Sequence, residues 1–317
     1  MRLLKATFYC CILYCSLTNP SIAKQMYFSQ QSLQDSRLFS YKWEDSNQDS
    51  QSLQFVLKNN VIQEMPSTGA AYRPQLAQRA IKSGLLTYAK TVDPRIAKID
   101  IKQQGAQINI SVTASKSGLA QEITEKLSHL QKQIQQDYLE SNFYLTFKNH
   151  YGQDTIKHDH GRYAQLSIEG AKVIAQTIKQ SIENPSDFRG FVNFTLSWIQ
   201  SIPYNTLEDR VSSNGAGFAS PRELIISNRG DCDSKSTLMA SIIKAYAPNA
   251  EVRMIFLPRH ALLGIKMKPG KEDKTIKIGK REFVLLEPTG PALYELGKIA
   301  PSSNNAIRNR QYTTEVM

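Results

Sequence analysis

The stretch Ser220-Pro221-Arg222-Glu223-Leu224-Ile225-Ile226-Ser227-Asn228-Arg229-Gly230-Asp231-Cys232-Asp233-Ser234-Lys235-Ser236 constrains the fold more than any other part of the chain. Ser220 and Glu223 stand at capping-box spacing with Pro221 at the first helical position, so a short helix starts here. Gly230 then turns the chain. Leu238, Ile242 and Tyr246 recur every four residues, which predicts a second helix with an apolar face and Cys232 at its mouth. A thiol at a helix N-terminus meets unpaired backbone N–H groups and the positive end of the macrodipole, and both favour thiolate. The polar neighbours Gly230-Asp231 and Asp233-Ser234-Lys235-Ser236 fit a partly exposed thiol better than a core one.

Three predicted strands follow. Glu251 to Leu257 is the first. Ala261 to Met267 is the second and begins at His260. Glu282 to Leu286 is the third and ends in Glu287-Pro288-Thr289. Cysteine attack on a carbonyl needs a base to take the thiol proton and an acceptor to orient that base. Cys232, His260 and Glu287 supply these types in order.

Gly230-Asp231-Cys232-Asp233, His260-Ala261-Leu262-Leu263-Gly264 and Leu286-Glu287-Pro288-Thr289 resemble the three motifs of the transglutaminase-like cysteine-enzyme superfamily. The resemblance covers roughly residues 188–293. It implies a papain-like α+β core, helices packed on an antiparallel sheet, and a triad of Cys232, His260 and Glu287. Glu287 stands where aspartate is commoner, and its longer carboxylate still reaches a ring nitrogen. The resemblance also places the Ile202-Pro203-Tyr204 segment near the active site, so Tyr204 or Asn205 lines an oxyanion or substrate pocket beside the Cys232 backbone N–H. Packing of the loop by Tyr204 is the equal alternative. Some exported relatives bind calcium with acids beside the cysteine, here Asp231 and Asp233; helix capping explains these two equally well. The implied chemistry is amide cleavage through a thioester. Hydrolysis of a protein or peptide substrate is favoured, because bacterial-type members with a short core resemble proteases. Transamidation and a non-catalytic peptide-binding scaffold are the alternatives. No metal and no cofactor are expected.

The N-terminus predicts export. Met1 to Lys5 is a basic lead, and Ala6 to Leu17 is an apolar run too short to span a membrane. Ser21-Ile22-Ala23 is an A-x-A-like cleavage site, which gives a signal peptide over 1–23 and a periplasmic or secreted mature chain. Tyr14 is too bulky to precede a lipidated Cys15. Cys10, Cys11 and Cys15 leave with the leader, so the mature chain keeps one thiol, Cys232, and no disulfide framework. Losing Arg2 and Lys5 takes the formal charge from +11 to +9. No basic run stands out and no nucleic-acid motif is present, so an evenly charged surface is the simplest reading.

The rest of the chain divides at a polar connection, His150 to Gly161. Residues 24–150 are predicted to form a smaller α+β domain, flexible at its start: a strand around Leu53-Phe55-Leu57, a helix over 73–88, a hairpin around Gly105, and a long amphipathic helix from Leu119 to Tyr138. Residues 151–300 form the catalytic domain, with helices over 166–182 and 188–202 and a core Trp198. Residues 301–317 are a flexible tail. His158-Asp159-His160 has too few companions for a metal site and reads as an exposed polar loop.

Overall fold

The computed structural model describes residues 23–105, 107–209, 213 and 215–317. Residues 1–22 of the leader expected over 1–23, with its three cysteines, lie outside the described residues, as do Ala106 and parts of the 210–214 loop. The described chain is mixed α and β, and all its sheets are antiparallel.

It opens with strands β1 (Lys24–Ser32), β2 (Ser36–Glu44) and β3 (Ser50–Lys58), paired in that order. Helix α1 (Asn59–Glu64) follows. Next come α2 (Pro74–Ala89), the hairpin β4 (Ala97–Gln104) and β5 (Gln107–Ala114), and α3 (Leu119–Ser141). A second hairpin, β6 (Tyr144–Lys148) and β7 (Asp154–His158), leads into α4 (His160–Leu166), α5 (Ile168–Ser181), α6 (Phe188–Ser201), α7 (Pro221–Ser227) and α8 (Cys232–Tyr246). Then come β8 (Val252–Leu257), β9 (His260–Lys266), β10 (Thr275–Ile278), β11 (Arg281–Leu286), α9 (Pro301–Arg308) and β12 (Thr313–Val316).

The main sheet has the order β10-β11-β9-β8-β12. Side chains alternate across it, so each strand serves two cores. Met254, Ala261, Leu263, Ile265, Val284 and Leu286 pack with α5, α6 and α8. Ile255, Leu257, Leu262, Phe283 and Leu285 face the other way, against Ile299 and against Ala306 and Ile307 of α9. With helices on both faces, the central strands are apolar throughout.

The structure corrects three expectations. The chain start is not flexible: β1 begins at Lys24 and pairs along its length with β2. Residues 24–150 are not one separate domain. Phe39, Tyr41, Trp43, Leu53, Phe55 and Leu57, from one face of β2 and β3, are buried in the same core as α5, α6 and α8. Tyr41 meets Trp198 edge-on at 5.2 Å between ring centroids, and Trp43 Nε1 donates to Ser197 Oγ at 3.1 Å. The alternating pattern makes β2–β3 one-sided, and a one-sided sheet must bury that face against another element. Within this region α2, β4, β5 and α3 keep a core of their own, built on Ile81, Leu85, Ile101, Ile123 and Leu127. The tail is not flexible either. Residues 301–308 form α9, and β12 pairs with β8, Thr313 opposite Phe256. The polarity of this stretch is that of an edge strand and a half-covered helix.

Candidate active site

Local chemistry sets the position of Cys232. The Ser220 side chain accepts from the Glu223 N–H and caps α7, and Asn228 ends that helix in the left-handed conformation (φ 50°). Gly230 follows in close contact: a Cβ there would lie 2.8 Å from Leu224 Cδ1. Asp231 is the N-cap of α8, its Oδ1 accepting from the Ser234 N–H at 2.9 Å and from the Ser234 hydroxyl. Cys232 is thus the first helical residue, where a backbone N–H has no partner within the helix.

His260 begins β9. The two-residue turn Pro258-Arg259 joins it to β8, with Arg259 at φ 62°. Its Nε2 lies 2.8 Å from Glu287 Oε1. The glutamate is buried and held from the α9 side: Oε2 accepts from the Ala300 N–H at 2.8 Å, and Oε1 accepts from Ser303 Oγ at 3.3 Å. The longer carboxylate at this position therefore makes the imidazole contact and leaves His260 Nδ1 for a second partner. Gln200 Nε2 donates to the Glu287 carbonyl at 2.9 Å and fixes its backbone.

Cys232 enters this arrangement from the α8 side. The backbone of Ala261, one residue past His260, acts to lower the pKa of its sulfur. The thiol itself donates to Asp233 Oδ1 at 3.3 Å. No hydrogen bond joins Cys232 and His260 here. Burial pushes the thiol well above its ordinary range, and the carboxylates of Asp233 and Asp231 add to the shift. This overturns the expectation of a stabilised thiolate. The helix N-terminus is present, but desolvation and two adjacent carboxylates outweigh it. Burial also raises Asp231, to about 7, with Asp233 as the second cause. Ligand atoms of Asp231, Cys232 and Asp233 lie within 4.8 Å of one another. The observed bonds assign Asp231 to capping α8 and Asp233 to the thiol.

Tyr204 and Asn205 flank the cysteine turn. Tyr204 forms a parallel bridge with Gly230, and the Asn205 N–H donates to the Gly230 carbonyl at 3.1 Å. That bond commits the Asn205 backbone donor, and its Oδ1 accepts from the Leu207 N–H at 2.8 Å. The Tyr204 side chain is half exposed and close enough to Cys232 and Asp231 for both to raise its hydroxyl, after desolvation.

Two groups escaped the sequence reading. Lys235 is fully buried, and its Nζ donates to the carbonyls of Ile202 and Thr289, the latter at 2.6 Å. One side chain thus ties the cysteine helix to the loop before Tyr204 and to the segment after Glu287. Burial lowers its ammonium to about 7, against the pull of Asp231. The second group is His158 and His160, expected on an exposed loop and found buried. His160 stacks edge-on against Phe218, and its Nε2 lies 3.5 Å from Asp233 Oδ2. Burial pushes His158 down to about 4, His160 adding to the shift. The only sequence signal was the pair of imidazoles itself.

No protein-family model, no curated protein and no solved structure matches this chain. Among the described residues, no helix is long and apolar enough to cross a membrane.

Proposed function

We propose that the chain is an exported cysteine hydrolase of amide bonds, with a papain-like, transglutaminase-type core. The observation that carries this reading is the His260 Nε2–Glu287 Oε1 contact of 2.8 Å, beside a cysteine at the first position of α8. Cys232 Sγ attacks the carbonyl carbon of the substrate amide, and its proton passes to His260 Nδ1. The resulting oxyanion draws on the Cys232 backbone N–H, with the Tyr204 hydroxyl at the edge of the pocket. The carbon–nitrogen bond breaks as His260 protonates the leaving amine, which leaves a thioester. Water, deprotonated by His260, hydrolyses it and regenerates the thiol. Glu287 holds the imidazole in the tautomer that presents Nδ1. The substrate class is a protein or peptide, and the site of action is the periplasm or the exterior.

The test is hydrolysis of a peptide library by the protein and by its Cys232→Ala variant. Turnover that vanishes in the variant supports the reading, and equal release by both refutes it. A binding scaffold is the second reading, and one observation favours it: the thiol rests on Asp233 rather than on His260. Binding of peptides without turnover would select it. An amine acceptor that outcompetes water would instead make the enzyme a transamidase.

A further inference from the structure

Asp233 stands between the thiol and a buried network on its other side. Its Oδ1 accepts from Cys232 Sγ at 3.3 Å, and its Oδ2 lies 3.5 Å from His160 Nε2. His160 is 2% exposed. Lys157 Nζ lies 3.3 Å from His160 Nδ1. An ammonium only donates, so Nδ1 accepts and the ring proton sits on Nε2, facing Asp233. Glu315 of β12 pairs with Lys157 and lies 3.8 Å from His160 Nδ1. The rings of Phe147 and Phe256 cover the Lys157 ammonium at 4.8 and 4.4 Å. Elements β7, α4 and β12 thus converge on one carboxylate beside the nucleophile, and none of them contributes to the His260–Glu287 pair.

We propose that Asp233 and His160 form a resting latch on Cys232. Asp233 keeps the sulfur as a neutral thiol, and His160 is a positioning residue that holds Asp233 in that pose. The proposal rests on Cys232 being the nucleophile of the reaction above. Asp233 is part-exposed at the first turn of α8 and has water to turn toward. Turning it out breaks the S–H···O hydrogen bond and the contact with His160 Nε2, and no covalent bond. It removes the nearest negative charge from the sulfur and frees the thiol proton for His260. A substrate that fills the cleft and displaces the Asp233 side chain therefore switches the nucleophile on. The latch costs reactivity only while the site is empty, which suits a lone thiol in an oxidising compartment.

The charged and titratable groups around the latch include Asp231, Lys235, Lys157, His158, Asp159, Glu315 and Tyr204. Each stays in place in the variants that test it. The readout is the pH profile of iodoacetamide alkylation at the Cys232 peptide, followed by mass spectrometry. Wild-type Cys232 should label more slowly than a free thiol at pH 7. Asp233→Asn, which is isosteric, should move the midpoint down by on the order of one pH unit. His160→Leu should shift it in the same direction, because Asp233 loses its buried donor and turns to solvent. His160→Gln returns an N–H near the Nε2 position and should restore the wild-type profile. The double variant Asp233→Asn/His160→Leu should match Asp233→Asn alone. An unmoved or upward midpoint in Asp233→Asn overturns the latch, as does additivity in the double variant. The folded state of His160→Leu is not required, since Asp233→Asn and His160→Gln already decide. Labelling shifts in a chain that hydrolyses no peptide would uphold the latch and overturn the hydrolase reading.

Discussion

His260 begins β9, Glu287 directly follows the adjacent strand β11, and their side chains meet at 2.8 Å on the side that α9 covers. The contact lies in an extension of the ladder where Leu286 stands opposite Leu263. The sheet register therefore fixes which acid meets the histidine. Asp231 and Asp233 are engaged by α8 and the thiol instead.

If these two residues and Cys232 act as one unit, their losses are non-additive. His260→Ala should lower kcat by on the order of 10⁴, and Cys232→Ala should abolish turnover. The double variant should be no worse than Cys232→Ala alone. Glu287→Gln keeps an acceptor oxygen but loses the charge, so about 10²-fold is expected. Steady-state kinetics on a cleaved peptide checks the ranking. Full activity in Glu287→Ala would remove Glu287 from the triad.

Asp231 gives stability a pH dependence of definite sign. Its folded pKa is raised to about 7, so between the ordinary carboxylate range and that value the native state holds more protons than the unfolded one. Stability must then fall as pH rises from about 4 to 7. Asp231→Asn keeps a capping oxygen and removes this titration. Thermal melts of both proteins across the window should show the variant with the flatter profile. Parallel profiles would mean that Asp231 does not titrate there.

The ion pair of Lys157 and Glu315, with side chains 14% and 13% exposed, joins β7 to the last strand. Glu315→Ala leaves the ammonium buried without its partner, a loss of roughly 3 kcal/mol. Lys157→Met with Glu315→Leu removes both charges and should recover most of it. Urea denaturation of the single and double variants measures the difference, and a near-neutral Glu315→Ala would contradict the burial.

Gly290 follows Glu287 by three residues at φ 63°, and a Cβ there would lie 2.2 Å from the Gln200 carbonyl oxygen. Gly290→Ala should therefore cost well over 2 kcal/mol, because the backbone of α6 must move. Gly279 has a similar φ of 59° with nothing within 4 Å of its Cβ position. Gly279→Ala should cost only about 1 kcal/mol of conformational strain. Equal midpoints for the two variants in urea would refute the packing argument.

Local patterns determined much of this protein. The capping box before α7, the glycine turn, the periodicity of α8 and the alternation around Gly105 are short-range signals, and each produced the expected element. The order of Cys232, His260 and Glu287 also carried the pairing of the last two, because a hairpin and its neighbour strand are themselves local. The helix expected over 166–182 stands as α5, whereas α4 begins inside the stretch read as a polar connection, where no apolar period marks it. Only the tertiary structure decided what lies across space. It brought β2 and β3 onto the helices of the main core, since a one-sided sheet takes whichever apolar face the chain offers. It returned the last residues to β8 as an edge strand. It buried Lys235 among carbonyls and His160 beside Asp233. The thiol shows the difference most clearly: a helix N-terminus is legible along the chain and favours thiolate, whereas desolvation and the aim of a neighbouring carboxylate arise only on folding and here prevail.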